Sequence, residues 1–353
     1  MAQTLLEATL SRIQPLEPKW LARAQARLDQ LTKPRGSLGR LEELAAWYVA
    51  VRQELLPTIR KKMVVIFAGD HGVVAEGVSA YPQEVTFQMV ANFVRGGAGI
   101  NVLAGHVGAA VQIVDIGVNH AFTEMPGLLS RKVAPGTRNL AREAAMSREE
   151  ALAALTIGIE VAQAAVAAGA DILATGEMGI GNTTPAAALA AAFTGQSAAA
   201  VTGRGTGVDD ATYERKVQVI EQALALHRPD PGDPLGVLAA IGGLEIAGLA
   251  GLILGAAAAR RPVVVDGFIA TAGAMVAVRL CPAVRDYLQA AHQSAENGHQ
   301  VMLADLGLRP LLQLDMRLGE GTGAALGMFL VEAGLKIYRQ MATFAEAGVS
   351  DKD

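Results

Sequence analysis

The sequence has a single cysteine, few aromatic residues, little charge and no long basic run, and each shortage excludes something. Cys281 alone cannot close an internal disulfide, and a cysteine-rich zinc site is excluded with it. One thiol in 353 residues suits a reducing compartment, so a cytoplasmic location is expected. Aromatics make up 4% of the chain, which leaves the core to Ala, Val, Leu and Ile. Charged residues make up 18%, below the roughly 25% of an average soluble domain. The 30 basic and 34 acidic side chains give a net charge of −4. Nucleic-acid binding needs a basic stripe to displace counterions, and none is present. Small anions need no such stripe, because helix N-termini bind them without net charge. Met1 to Ser11 lack the basic segment and apolar stretch of a signal peptide. The one candidate membrane span, Ile241 to Ala259, carries Glu245 and five glycines and runs into Arg260 and Arg261. Gly251 and Gly255 stand at i and i+4, which favours a buried helix with a close neighbour over a span.

Hydrophobic residues, at 51%, are too many for a disordered chain and enough for a large core. The length fits two domains. To about residue 60 the pattern is helical: Trp20, Ala24, Leu28 and Leu31 form one apolar stripe. Lys33-Pro34-Arg35-Gly36-Ser37 then breaks the chain, and Ser37 is placed to cap a helix carrying Leu41, Leu44, Ala45 and Tyr48. After residue 60 short apolar runs end in Gly or an acidic residue. These are Met63–Phe67 before Gly69-Asp70-His71-Gly72, then Val111–Gly117, Asp171–Glu177 and Pro262–Gly267. Leu312–Met316, before Gly319-Glu320-Gly321, is a weaker instance. Ala-rich segments such as 149–168 and 210–227 lie between them, and the end of the chain, 322–347, is helical again. Apolar strands alternating with helices predict an α/β fold with a parallel sheet flanked by helices. Ligands of such sheets bind beyond the carboxyl ends of the strands, where Asp70, Asp115, Glu177, Asp266 and Glu320 converge in this reading.

Three segments could carry chemistry. In Gly176-Glu177-Met178-Gly179-Ile180-Gly181-Asn182-Thr183-Thr184-Pro185 a strand runs through glycines and hydroxyls into a helix, which suits a phosphate. It is no Walker loop, since the lysine is missing. Gly203-Arg204-Gly205-Thr206-Gly207 precedes a helix bearing Lys216, a weaker signal without dinucleotide spacing. In Arg317-Leu318-Gly319-Glu320-Gly321-Thr322-Gly323 a glutamate between glycines is free to act as a general base, and Thr322 could cap the following helix. Asp70-His71 could supply two metal ligands, but no third is placed, and no Gly-x-Ser-x-Gly elbow is present for a nucleophilic serine.

Taken together, Leu31-Thr32-Lys33-Pro34-Arg35-Gly36-Ser37-Leu38-Gly39-Arg40-Leu41, Asp70-His71-Gly72-Val73, Gly181-Asn182-Thr183-Thr184-Pro185, Asp266-Gly267-Phe268 and Met316-Arg317-Leu318-Gly319-Glu320-Gly321 occur in one order. This series resembles the nicotinate-nucleotide:dimethylbenzimidazole phosphoribosyltransferases of cobalamin lower-ligand biosynthesis, across nearly the whole chain. The resemblance implies a Rossmann-like large domain at 61–329 and a small helical domain from 1–60 with 330–353. It implies a homodimer that needs no metal or cofactor and moves phosphoribose from nicotinate mononucleotide to a benzimidazole base. By resemblance Glu320 is the catalytic base, and Glu177 stabilises developing charge or bonds the incoming base. Gly179, Gly181, Asn182, Thr183, Thr184, Gly203, Gly205, Lys216 and Ser294 match positions around the nucleotide. Tyr81, Pro82, Gln88, Met89, Met178 and Leu318 match the base pocket, where some relatives carry serine for Tyr81 and glutamine for Met89. Other readings of the same loops are a phosphate-ester hydrolase or kinase using Asp70 and His71, and a nucleotide sensor that does not need Glu320.

Overall fold

The computed structural model describes residues 2–205 and 207–350. Six strands form one parallel sheet: β1 (Lys62–Gly69), β2 (Ala109–Gly117), β3 (Leu128–Ser130), β4 (Ile172–Met178), β5 (Val263–Val265) and β6 (Leu288–Ala290). Their order is β3-β2-β1-β4-β5-β6, with every pair parallel. The four continuous apolar runs are the four central strands, as their two-sided burial requires. Val64 and Phe67 of β1 point to opposite faces, since side chains alternate along a strand. Phe67 packs on Gly248 of the helix Leu244–Ala258, and Val64 on Gly321 at the start of the helix Thr322–Gln340. Helices therefore cover both faces.

Two expectations need correction, one strand and one helix cap. Leu312–Met316 is no strand: Leu314 is exposed, Asp315 takes a positive φ, and a single bridge from Leu312 to His292 joins the segment to the sheet. Its place at the edge is taken by β6, which like β3 is only three residues long and gives almost no periodic signal. Ser37 is no cap either. The helix Arg40–Arg52 starts after Gly39 without a side-chain cap, and Glu42 folds back to accept from the Leu38 amide and pair with buried Lys33. That pair explains what Lys33 does in the first motif.

The helix Leu244–Ala258 is buried almost throughout and lies against the helix Arg148–Ala167. A Cβ on Gly251 would overlap the Leu155 carbonyl, and one on Gly158 would overlap the Gly248 carbonyl, so these two backbones touch. The Arg148–Ala167 helix is the one described helix long and apolar enough to cross a membrane. Half of its apolar window is buried inside the protein. Gly251→Ala is expected to lower unfolding stability by about 1–3 kcal/mol, the usual penalty for overpacking a close interface. Chemical denaturation measures this, and an unchanged midpoint would refute the close approach.

The two chain ends meet. Leu31 bridges to Thr343, Arg27 donates to the Tyr338 carbonyl, and a Cβ on Gly334 would overlap the Leu41 carbonyl.

Candidate active site

The neighbours of β1 are β2 on one side and β4 on the other, so connections run in opposite directions from it and a crevice opens at its carboxyl end. Gly179, just past β4, lies so close to Gly69 that a Cβ would overlap the Gly69 carbonyl. Under that turn His71 Nε2 and Glu245 Oε1 sit 2.8 Å apart, both fully buried. Glu245 and Asp70 push the His71 pKa up against burial, the largest influence, and the net shift is upward. Asp70 and His71 are thus structural: Asp70 accepts from the Asn119 amide, and His71 braces the turn. Asp115 likewise accepts from Val118 and pairs with Lys132.

A cavity of about 670 Å³ lies beyond β4 and β5. It gathers Glu320, Glu177, Gly179, Asn182, Thr183, Gly205, Ser294, Tyr81, Met89, Met178 and Leu318 of the expected residues. Gly181 and Lys216 line a smaller annex of about 50 Å³, which shares Gly179, Asn182, Thr183 and Gly205 with the main cavity. Four expected residues stand off both. Pro82 and Gln88 are exposed, Thr184 is buried, and Gly203 is buried with its carbonyl accepting from Lys216. Thr206 lies outside the described residues. Among the lining residues outside the expected set are Phe268, His292, Glu296 and Arg317. Phe268 and Arg317 stood inside motifs already singled out, whereas His292 and Glu296 have no local pattern to mark them.

Glu320 is held by its backbone and by one bond. It has φ +64° between Gly319 at +82° and Gly321 at +90°, a run of left-handed residues that only glycine neighbours tolerate cheaply. The turn is fixed from below, because Asp266 Oδ2 accepts from the Gly321 amide and Oδ1 from Ala324. Asp266 therefore does the capping that Thr322 was expected to do. Thr322 instead donates to the Gly319 carbonyl from the first helical position. Gly176 lies beneath the same turn, where a Cβ would come 2.6 Å from the Glu320 carbonyl. Glu320 Oε2 accepts from the Ile100 amide at 3.2 Å, at the start of the helix Gly99–Val107. Burial raises the Glu320 pKa, that amide lowers it, and the Asp266 charge raises it again.

Glu177 ends β4 on the other side of this loop. A side chain on Gly319 would overlap its carboxylate, and Asn182 donates to Oε2. Burial, with Asp266, Glu245 and Glu320 adding like charge, pushes its pKa up to about 8. Around neutrality Glu177 therefore tends to hold its proton. At the far end Lys216, 1% exposed, donates to Thr183 Oγ1 at 2.9 Å and to Gly203 O at 3.1 Å. Burial lowers its pKa to about 8, against the raising effect of Glu296. Among the described residues no cluster of three or more His, Cys, Asp or Glu is arranged as a metal site.

A parallel α/β sheet whose switch-point crevice holds a buried lysine and glycine turns at one end and paired glutamates at the other defines a nucleotide-processing enzyme. The chain belongs to the phosphoribosyltransferase family, whose model matches residues 13–349. It is 63% identical over 350 residues to the nicotinate-nucleotide–dimethylbenzimidazole phosphoribosyltransferase of Geobacter sulfurreducens, covering 99% of each chain. The identically named protein of Chloroflexus aggregans is 56% identical over 349 residues, again covering 99% of each. Among solved structures, the nicotinate-nucleotide–dimethylbenzimidazole phosphoribosyltransferase of Thermus thermophilus superimposes with a TM-score of 0.90 at 51% identity. The match covers 96% of this chain and all of the other. A second crystal structure, of CobT from the same organism, superimposes with a TM-score of 0.92 at 53% identity, over 95% of this chain and all of that one.

Proposed function

We propose that the cavity is the site of a phosphoribosyl transfer, run by the residues assigned below. The chain is a transferase that takes nicotinate mononucleotide and 5,6-dimethylbenzimidazole or a related base, and gives α-ribazole 5′-phosphate and nicotinate for the cobalamin nucleotide loop. The observation that carries the assignment is a buried cation, Lys216, among glycine turns in an annex that shares residues with the cavity holding the buried carboxylates Glu177, Glu296 and Glu320.

The 5′-phosphate goes to Lys216 and Thr183 at the start of the helix Thr183–Thr194, whose dipole favours an anion. Gly179, Gly181, Asn182, Thr184, Gly203, Gly205 and Ser294 shape and floor that end. Binding energy gained at the phosphate positions the reacting sugar carbon. Nicotinate departs as a cationic pyridinium that becomes neutral, so its departure needs no acid. A benzimidazole nitrogen attacks the sugar carbon from the opposite face, inverting it, while Glu320 takes the proton from the other ring nitrogen. Glu177, as a neutral acid, donates a hydrogen bond in the same crevice. Tyr81, Met89, Met178 and Leu318 form the apolar wall for the base, which Pro82 and Gln88 do not line.

We further propose that residues 1–60 with 330–353 form a small helical domain beside a large one at 61–329, supported by the contacts between the chain ends. The helix Thr322–Gln340 runs from Glu320 into that domain and is shared by both. A homodimer is proposed too. Its support is the resemblance together with the exposed Val102 and Phe329, and sedimentation velocity tests it. The single thiol supports a cytoplasmic location.

Product that requires both substrates, followed as nicotinate release and a new riboside phosphate, tests the reaction. Nucleotide binding without base-dependent release would leave a sensor instead. The pH profile gives a second test. Above pH 8 Lys216 loses its charge and Glu177 gains one, and both changes disfavour the phosphate and its positioning. kcat/KM, which reports the free enzyme, is expected to fall on the alkaline side from about pH 8. Lys216→Arg should retain only the Glu177 part of that fall, and a flat profile to pH 10 in the parent enzyme would contradict the assignment.

A further inference from the structure

Glu296 is the buried charged group of the cavity wall that the chemistry above leaves unused. It is 6% exposed, and its Oε2 has no hydrogen-bond partner. It occupies the N-cap position of the helix Asn297–Leu306 but makes no side-chain cap, so helix termination does not explain it. The backbone is cut to fit it: a Cβ on Gly203 would overlap Oε2. The same glycine gives its carbonyl to Lys216, so carboxylate and ammonium flank one backbone position. Burial works against the charge on Glu296, whereas Lys216, the Gly205 amide and Arg317 favour it.

A carboxylate this close to the phosphate end cannot serve the phosphate, since like charges repel. It also stands apart from the attacking nitrogen, which Glu320 attends. What lies between a 5′-phosphate and a glycosidic carbon in a nucleotide is a ribose with two neighbouring hydroxyl groups. Both are donors, and an unpartnered carboxylate oxygen is an acceptor that burial makes costly to leave empty. We propose that Glu296 accepts hydrogen bonds from the ribose hydroxyls and makes the enzyme selective for ribonucleotides over their deoxy counterparts. The assignment rests on the phosphoribosyl transfer proposed above. It gives Gly203 a physical reason as well, since alanine there would displace the carboxylate.

The test compares kcat/KM for nicotinate mononucleotide with those for its 2′-deoxy and 3′-deoxy analogues, in the parent enzyme and in Glu296→Met. Methionine keeps the volume and removes the acceptor. A hydrogen bond to a charged group sets the scale, so the parent is expected to prefer ribose by about 10–10²-fold over at least one analogue. In Glu296→Met that preference is expected to shrink to about threefold or less, within ordinary single-contact scatter. Because each analogue's intrinsic reactivity is the same in both enzymes, it cancels in the comparison. Should the methionine variant not fold, Glu296→Gln, which retains one weaker acceptor, is expected to lose part of the preference. A variant that is slower on all three substrates with an unchanged preference would overturn the assignment while leaving the reaction intact. A parent enzyme that transfers no phosphoribose from nicotinate mononucleotide would overturn both.

Discussion

Glu320→Gln is expected to lower kcat by about 10²–10⁴, the usual contribution of a general base, with nucleotide affinity little changed. The amide keeps the shape and can still accept from the Ile100 amide, which anchors Oε2 in the parent. It cannot take a proton. Stability should not suffer, because burial already raises the Glu320 pKa and a neutral side chain is spared that desolvation. The strained left-handed backbone is untouched by the change and stays supported by Asp266. Steady-state kinetics beside a nucleotide titration separate the two effects. An unchanged kcat would remove Glu320 from the proton transfer and turn attention to Glu177.

Lys216→Met is expected to act at the other end of the cavity, with a different signature. Truncating one partner of a buried, hydrogen-bonded charge pair costs about 2–5 kcal/mol, or roughly 30- to 4000-fold in kcat/KM. Here the lost partner is the phosphate, and Glu296 is also left without its neighbouring cation. The fold should tolerate the change, because methionine fills the lysine channel and does not need the hydration that buried Lys216 gives up. Lys216→Arg should recover part of the loss if its bulkier head reaches Thr183. Equal kcat/KM in Lys216→Met, with circular dichroism unchanged, would show that the phosphate binds elsewhere.

How far these features can be read in the sequence follows their range along the chain. The central strands are legible because burial on both faces writes a continuous apolar run, as in Met63–Phe67 and Asp171–Glu177. The helix Asp210–His227 is legible to the residue, whereas its cap, Asp209, emerges only from the structure. Edge strands of three residues, β3 and β6, leave no period to detect, so the Leu312–Met316 run stands out in place of the true last strand. The glycines around Glu320 mark a special backbone, but its support by Asp266, far earlier in the chain, exists only after folding. Capping by Thr322 fails because Asp266, far earlier in the chain, takes the Gly321 and Ala324 amides, and capping by Ser37 fails because the helix begins only at Arg40, after Gly39. Of the expected residues in the two glycine turns and the Arg317–Glu320 loop, Glu177, Met178, Gly179, Asn182, Thr183, Gly205, Leu318 and Glu320 meet in one cavity, whereas Gly181 lines its annex and Thr184 and Gly203 lie behind it. Pro82 and Gln88, which rest on resemblance alone, do not line it. Glu296 goes unseen because a carboxylate is marked as functional by what surrounds it in space.

The most direct test of the proposed transfer is the anomeric form and yield of the product when nicotinate mononucleotide and 5,6-dimethylbenzimidazole are supplied together. In-line attack with proton removal by Glu320 predicts one riboside phosphate per nicotinate released, with the α configuration at the sugar carbon in the proton NMR spectrum. A β-configured product, or nicotinate released without the base being consumed, would contradict it.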